Sequence, residues 1–520
     1  MNDHLKWIKF SGISWWKDGF FYSRYPQPEE GDKLTGSNKN NKVYYHKIGT
    51  PQSEDKLVYE DPAFPLRGFT VGVTDDEKYA IIYSTESTSG NAFGYKKIED
   101  NDFKWLIDTF DKDYRVIDNN DNILYVITNQ DAPKYKLVAI DLDQPAAENW
   151  VDLIPESENV LQSCSYIGGK LIVSYLKDAY DVVKVFNTEG RFLHNIDFPG
   201  IGSVGGFGGD KNDEITFYRF TSFNYPPVIF KYNIAENSSE VFYEPELNFD
   251  GDLYETKQVF YESEDGTSIP MFIVHKKGIK LNGKNPTMLY GYGGFNITLT
   301  PYFSSARVAW LEQGGIYAVA NIRGGGEYGE AWHKAGTILK KQNVFDDFIA
   351  AAEYLIGEKY TSPEKLGILG GSNGGLLVGA VINQRPELYA AAIPAVGVMD
   401  MLRFHKFTIG RYWTTDYGSS DDPKQFEYIY QYSPLHNISE EKDYPAVMVT
   451  TADHDDRVVP AHSFKYIATL QEKYKGDNPV IIRIETDAGH GAGKPTAKVI
   501  EGIADQYSFF WENMDSTPDF

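Results

Sequence analysis

The chain has 520 residues, 42% hydrophobic and 24% charged, which excludes one ordinary core and excludes a disordered or low-complexity protein, so two or three domains are expected. A formal charge of −24 and a pI near 4.9 oppose phosphate backbones and anionic lipid, leaving no place for nucleic acid or a membrane surface as partner. A single cysteine, Cys164, excludes an intrachain disulfide and a thiolate zinc cluster and is read as core filling.

No apolar run reaches the length of a bilayer span, and the opening Met1-Asn-Asp-His-Leu-Lys-Trp-Ile lacks the basic-then-apolar layout of a signal peptide. A cytoplasmic protein is expected, with the periplasm or secretion left open should Met1 not be the natural start.

From Met1 to about residue 249 the chain repeats short aromatic and β-branched runs separated by Asp, Asn, Gly and Lys, which are strand and hairpin signals. Turn-then-strand pairs place anchors at Phe20, Tyr79, Leu124, Leu171 and Ile215, with separations of 59, 45, 47 and 44 residues. The last three fit the length of a four-stranded propeller blade. An all-β propeller domain of about five blade-like repeats is expected over 1–249; a β-sandwich would show no such longer period.

Over 250–520 the grammar changes. Strand-like runs at Gln258-Val-Phe-Tyr and Met271-Phe-Ile-Val lead into Thr287–Tyr290, Ile316–Ala320, a helix over Phe345–Ile356 and the strand Leu366-Gly-Ile-Leu. A helix from about Gly374, the strands Ala391–Val396 and Ala446–Thr450, a helix around Ser463, the strand Val480–Ile484 and a last helix from Thr496 follow. Such alternation predicts a mostly parallel sheet with helices on both faces.

Gly370-Gly-Ser-Asn-Gly374 sits between a strand and a helix, the setting of a nucleophile elbow, and makes Ser372 the candidate nucleophile. An acid and a histidine are then expected at later strand ends. Asp453, Asp455 and Asp456 follow the strand from Ala446, and spacing does not choose among them; a solvated acidic turn or a cation site with His454 is the alternative. His490, packed among glycines after the strand from Val480, is the candidate base. Gly324-Gly-Gly-Glu-Tyr-Gly329 satisfies a dinucleotide-binding pattern, but Asp346 and Asp347 lie inside a helical pattern where a second strand should end, so a structured loop near the active site is expected and no cofactor.

With these residues in hand, the C-terminal half resembles the prolyl oligopeptidases, serine peptidases of the α/β-hydrolase superfamily. The resemblance runs through Tyr290–Asn296, Asn321–Gly329, Gly370–Gly375, Trp413–Gly418, Ala452–Pro460 and Ala488–Lys494, and more loosely through Phe10–Trp16 and Tyr44–Thr50. It implies cleavage of short proline-containing peptides on the carboxyl side of proline, no cofactor and no metal. It implies Ser372, Asp455 and His490 as the triad, and the Tyr292 hydroxyl with the Asn373 backbone N–H as the oxyanion hole. Trp413 would stack on the proline ring, Phe295, Val398, Tyr417 and Val458 would line its pocket, and Arg457 would reach the preceding carbonyl.

The family's propeller has seven blades and an N-terminal segment packs on its hydrolase domain, so the resemblance implies that about two blades and that segment are missing here. A monomer is expected if the propeller closes, and association if it stays open. The alternatives are an impaired fragment, a relative with the specificity of oligopeptidase B, a dipeptidyl peptidase or an acylaminoacyl peptidase, a general esterase, or an inactive propeller that binds partners.

Overall fold

The computed structural model describes residues 3–518 apart from 30 and 492. Residues 14–243 form five separate four-stranded antiparallel sheets, each meandering in chain order, at 14–59, 68–107, 114–154, 160–196 and 203–243. All five sequence anchors fall on the second strand of a blade. The first separation is longer because residues 25–41 are inserted between the strands Gly19–Arg24 and Lys42–Lys47. This insertion reaches the other half of the molecule, where the Asn38 N–H donates to the Thr408 carbonyl at 3.1 Å and Arg411 donates to the Asn38 carbonyl at 2.9 Å.

Alternation along each strand sends one set of side chains to each neighbouring blade. Phe21 and Ala80 meet between the first and second blades, Phe93 and Leu124 between the second and third, Ile127 and Val173 between the third and fourth, and Ile172 and Tyr218 between the fourth and fifth. Cys164 belongs to the third of these layers, where burial pushes its thiol up to about 12, as expected of a core filler. Five blades thus share four cores, whereas a closed ring of five needs five. Among the described residues no core joins the fifth blade to the first, and the outer face of the fifth exposes Ile215, Phe217 and Phe242.

The second half is built on one eight-stranded sheet. Its strands are β1 Tyr254–Glu262, β2 Ser268–Lys276, β3 Thr287–Tyr290, β4 Ile316–Ala320, β5 Leu366–Gly371, β6 Ala391–Ala395, β7 Ala446–Ala452 and β8 Val480–Glu485. The order is β1-β2-β4-β3-β5-β6-β7-β8, with β1 antiparallel to β2 and β2 antiparallel to β4; every other pair is parallel. The central strands are buried on both faces, which is why they read as unbroken apolar runs. Helices Gln342–Gly357 and Asn373–Gln384 cover one face, and helices Ser305–Glu312 and Thr496–Asn513 the other. No helix among the described residues is long and apolar enough to cross a membrane.

The halves meet through buried residues. Phe223, in a turn of the fifth blade, is 1% exposed and packs on Phe272 of β2 and Tyr317 of β4 at ring separations of 5.6 and 6.0 Å.

Candidate active site

At the carboxyl end of β5 the chain turns directly into the helix Asn373–Gln384, and Ser372 occupies the corner with φ 58 and ψ −115. A non-glycine residue in this left-handed region is strained, and the strain persists because its surroundings are tight. A Cβ on Gly375 would lie 2.6 Å from the Gly397 Cα and 2.7 Å from the Ala395 carbonyl oxygen, so only glycine lets the helix come this close to β6. The Ser372 N–H is tied to the Ala395 carbonyl at 2.8 Å. Asn373, as the first helical residue, has a backbone N–H with no acceptor inside the helix.

The loop after β3 brings Tyr292 to Ser372. Burial pushes the Tyr292 phenol up to about 12, and the Ser372 side chain beside it pulls the other way. The loops after β7 and β8 supply the acid and the imidazole. Asp455 is fully buried; its Oδ1 accepts from the N–H groups of Arg457 and Val458 at 3.0 and 2.9 Å, and its Oδ2 meets His490 Nδ1 at 2.6 Å.

The neighbouring acids are engaged elsewhere. Asp453 lies 2.7 Å from the exposed His454, and Asp456 pairs with Lys9 of the propeller at 2.7 Å. Asp453, His454 and Asp487 gather ligand-type atoms within 4.8 Å of one another, but one Asp453 oxygen already serves both His454 and the Ala488 N–H. The Ser372 side chain faces Tyr292, and the hydrogen bond of His490 goes to Asp455. The structure therefore brings Asp455 to His490 and Tyr292 to Ser372, and leaves the two pairs without a direct hydrogen bond.

A cavity of about 390 Å³ opens over Ser372, between the sheet domain and the first two blades. Tyr292, Phe295, Val398, Trp413, Tyr417 and Arg457 line it. Trp413 is backed by Phe404, nearly parallel at 15° and 6.2 Å, and Phe295 meets Tyr417 edge-on at 5.3 Å. Val458 does not line the cavity: it is buried behind the loop, and its N–H holds Asp455.

Sequence reasoning missed the propeller's share of the wall, above all Tyr25, Phe69 and Tyr83, and it missed the Phe10 ring, 5.0 Å from the Arg457 guanidinium. The blade period places Phe69 and Tyr83 on strands but says nothing of which blade edge faces the sheet; Tyr25 opens the insertion after Arg24, and Phe10 precedes the first strand. Also missed was Asp416, fully buried, which accepts from the Phe295 N–H at 2.7 Å and lies 3.0 Å from His333 Nε2. The Gly324–Gly329 stretch is the structured loop expected: a Cβ on Gly324 would meet the Gly293 carbonyl oxygen at 2.6 Å, so this loop supports the one that carries Tyr292.

Residues 301–517 match the family model described as the prolyl oligopeptidase family, and residues 1–245 match that of the prolyl oligopeptidase N-terminal β-propeller domain. The prolyl endopeptidase of Elizabethkingia meningoseptica is 49% identical over 512 residues, covering 98% of this chain and 72% of that protein. That of Dictyostelium discoideum is 43% identical over 542 residues, covering 98% and 71%.

A solved prolyl endopeptidase, from a study of inter-domain dynamics in catalysis and specificity, superposes with a TM-score of 0.94 at 40% identity, over 99% of this chain and 76% of its own. Prolyl oligopeptidase B of Galerina marginata, 36% identical, superposes at 0.94 over 99% of this chain and 74% of its own when bound to a 35mer substrate. Its apo form reaches 0.70 over 98% and 72%.

Proposed function

This chain belongs to the prolyl oligopeptidase family, and we propose that it acts as a serine endopeptidase, hydrolysing short peptides on the carboxyl side of proline through an acyl-enzyme. The observation that carries this reading is the strained Ser372 corner beside the Tyr292 hydroxyl, at the floor of an aromatic cavity walled by Trp413. A proline ring offers about three methylenes, on the order of 2 kcal/mol when buried, and has no N–H that an apolar wall would leave unpaired. A flat indole held parallel to Phe404 suits it.

In this reading His490 Nε2 takes the Ser372 proton as Oγ attacks the carbonyl carbon of the proline residue itself. The developing oxyanion accepts from the Tyr292 hydroxyl and the Asn373 N–H, donors that are each typically worth a few kcal/mol to the transition state. His490 returns the proton to the leaving amine, and water then repeats the sequence on the ester. Asp455 holds the Nδ1–H tautomer and steadies the imidazolium. Nε2 must reach Ser372 as substrate binds; such bonds are commonly long in unliganded sites and tighten in the complex.

The test is hydrolysis of a chromogenic Gly-Pro substrate with a blocked amino terminus. Turnover that falls at least about a thousandfold in Ser372→Ala is expected. Preference for an arginine substrate would replace the post-proline reading with that of an oligopeptidase B. Failure to turn over either, with normal circular dichroism, would leave a partner-binding propeller protein.

A further inference from the structure

Behind Ser372 lies a second polar layer, and at its centre is a lysine. Lys341, at the head of the helix Gln342–Gly357, is 1% exposed. Its Nζ donates to the Gly293 carbonyl at 2.8 Å and to Asn373 Oδ1 at 3.3 Å, and it lies 5.3 Å from the centre of the Tyr417 ring. The Asn373 side chain carries the restraint onward: its Nδ2 donates to the Tyr292 carbonyl, and its Oδ1 also accepts from the Tyr417 hydroxyl at 2.9 Å.

The two peptide planes flanking Gly293 are thus pinned, one by Asn373 and the other by Lys341. Gly293 stands at φ 64, a conformation strained for residues with a side chain, and a Cβ there would collide with Val344 Cγ1. Two residues further on, Asp416 fixes the Phe295 N–H.

An ammonium taken out of water is costly unless its protons are engaged. Burial draws the Lys341 amine down to about 8 and Asp416 opposes the shift, so the group is still mostly charged at neutral pH and its bonds to the two oxygens are charge-assisted. A methionine would fill the same volume without that cost. What it could not do is hold two carbonyl-type oxygens beneath the loop that carries Tyr292.

We propose that Lys341 is a positioning residue for the peptidase reaction: by clamping the Gly293 carbonyl and the Asn373 side chain it sets the Tyr292 hydroxyl at Ser372, and so governs kcat and not substrate affinity. The inference rests on the reading of Tyr292 as an oxyanion donor. Lys341 touches no reacting atom.

The experiment is a double-mutant cycle on the full chain with the Gly-Pro substrate, using Lys341→Met, Tyr292→Phe and the pair. Lys341→Met is expected to lower kcat ten- to a hundredfold with KM changed less than threefold. In the Tyr292→Phe enzyme the same substitution should cost less than threefold, because the hydroxyl it positions is gone. A purely structural lysine would lower the melting temperature without this coupling.

An unchanged kcat in Lys341→Met, or an equal loss in both backgrounds, overturns the inference while leaving the peptidase reading intact. Full kcat in Tyr292→Phe overturns the oxyanion assignment and the inference with it. Should Lys341→Met not fold, Lys341→Gln, which removes the charge and shortens the reach of the donor nitrogen, is read against the same two criteria.

Discussion

Three aspartates within four positions meet three different fates, and the backbone decides which. Asp455 falls where two successive N–H groups converge on one of its oxygens, leaving the other for His490. Asp453 and Asp456 face an exposed histidine and a propeller lysine. Asp455→Asn is therefore expected to lower kcat about a thousandfold or more, since the amide supports the wrong tautomer, while Asp453→Asn and Asp456→Asn stay within about threefold, as surface pairs generally do. Steady-state kinetics on the Gly-Pro substrate checks all three. Sequence spacing does not make this choice, because side-chain direction in a loop is set by hydrogen bonds the loop has yet to form. The same limit hid Lys341: beside Lys340 it looks like any surface lysine, and only the packed helix shows it buried.

Among the elements, those buried on both faces were the most legible. β3, β4 and the strand before Ser372 announce themselves as apolar runs, and the glycines around Ser372 announce a close approach. Among the described residues, two helices of eight residues or more were not read. Pro423–Tyr432 is rich in aromatics and scans as strand, although Asp422 caps it by accepting from the Gln425 N–H at 2.8 Å and Pro423 opens it, a start signal present in the sequence. Ser305–Glu312 is short and carries the buried Arg307, which hides its apolar face.

The loop Gly324–Gly329 carries a testable electrostatic feature. Glu327 is buried with no countercharge; one oxygen accepts from Leu299 N–H and Asn321 Nδ2, and burial pushes the carboxyl up to about 7 from 4.5. Between those values the unfolded chain has released a proton that the folded one keeps, so stability falls as pH rises through that window, by about 3 kcal/mol in all. Glu327→Gln keeps the accepting oxygen and should flatten that fall, so that the variant gains on the parent from pH 4.5 to above 7. Denaturant midpoints of both proteins across this range test it; parallel curves would show that Glu327 titrates normally.

On the scale of the whole molecule, the cavity belongs to both domains. Thr88, in the second blade, donates its N–H to the Tyr412 carbonyl at 3.3 Å, and its Oγ1 lies 3.3 Å from that of Thr415. The superposition on the substrate-bound relative is closer than on the apo form of the same enzyme. Passage of substrate through this seam is the prediction. Thr88→Cys with Thr415→Cys, oxidised to a disulfide, should lose most turnover and regain it on reduction, measured on the Gly-Pro substrate. Cys164 is buried with its thiol pushed up and will not compete. Undiminished activity of the cross-linked protein would show that substrate enters by another route.

By itself the sequence determined the blade period, the alternation of strands and helices, and the corner that bares Ser372, because each depends on local periodicity or on a backbone conformation that only certain residues adopt. The tertiary structure decided which aspartate meets His490, which propeller aromatics wall the cavity, that Lys341 lies beneath the Tyr292 loop, and that five blades share four cores. Those outcomes depend on contacts between residues far apart in the chain, whose geometry exists only once the layers have packed.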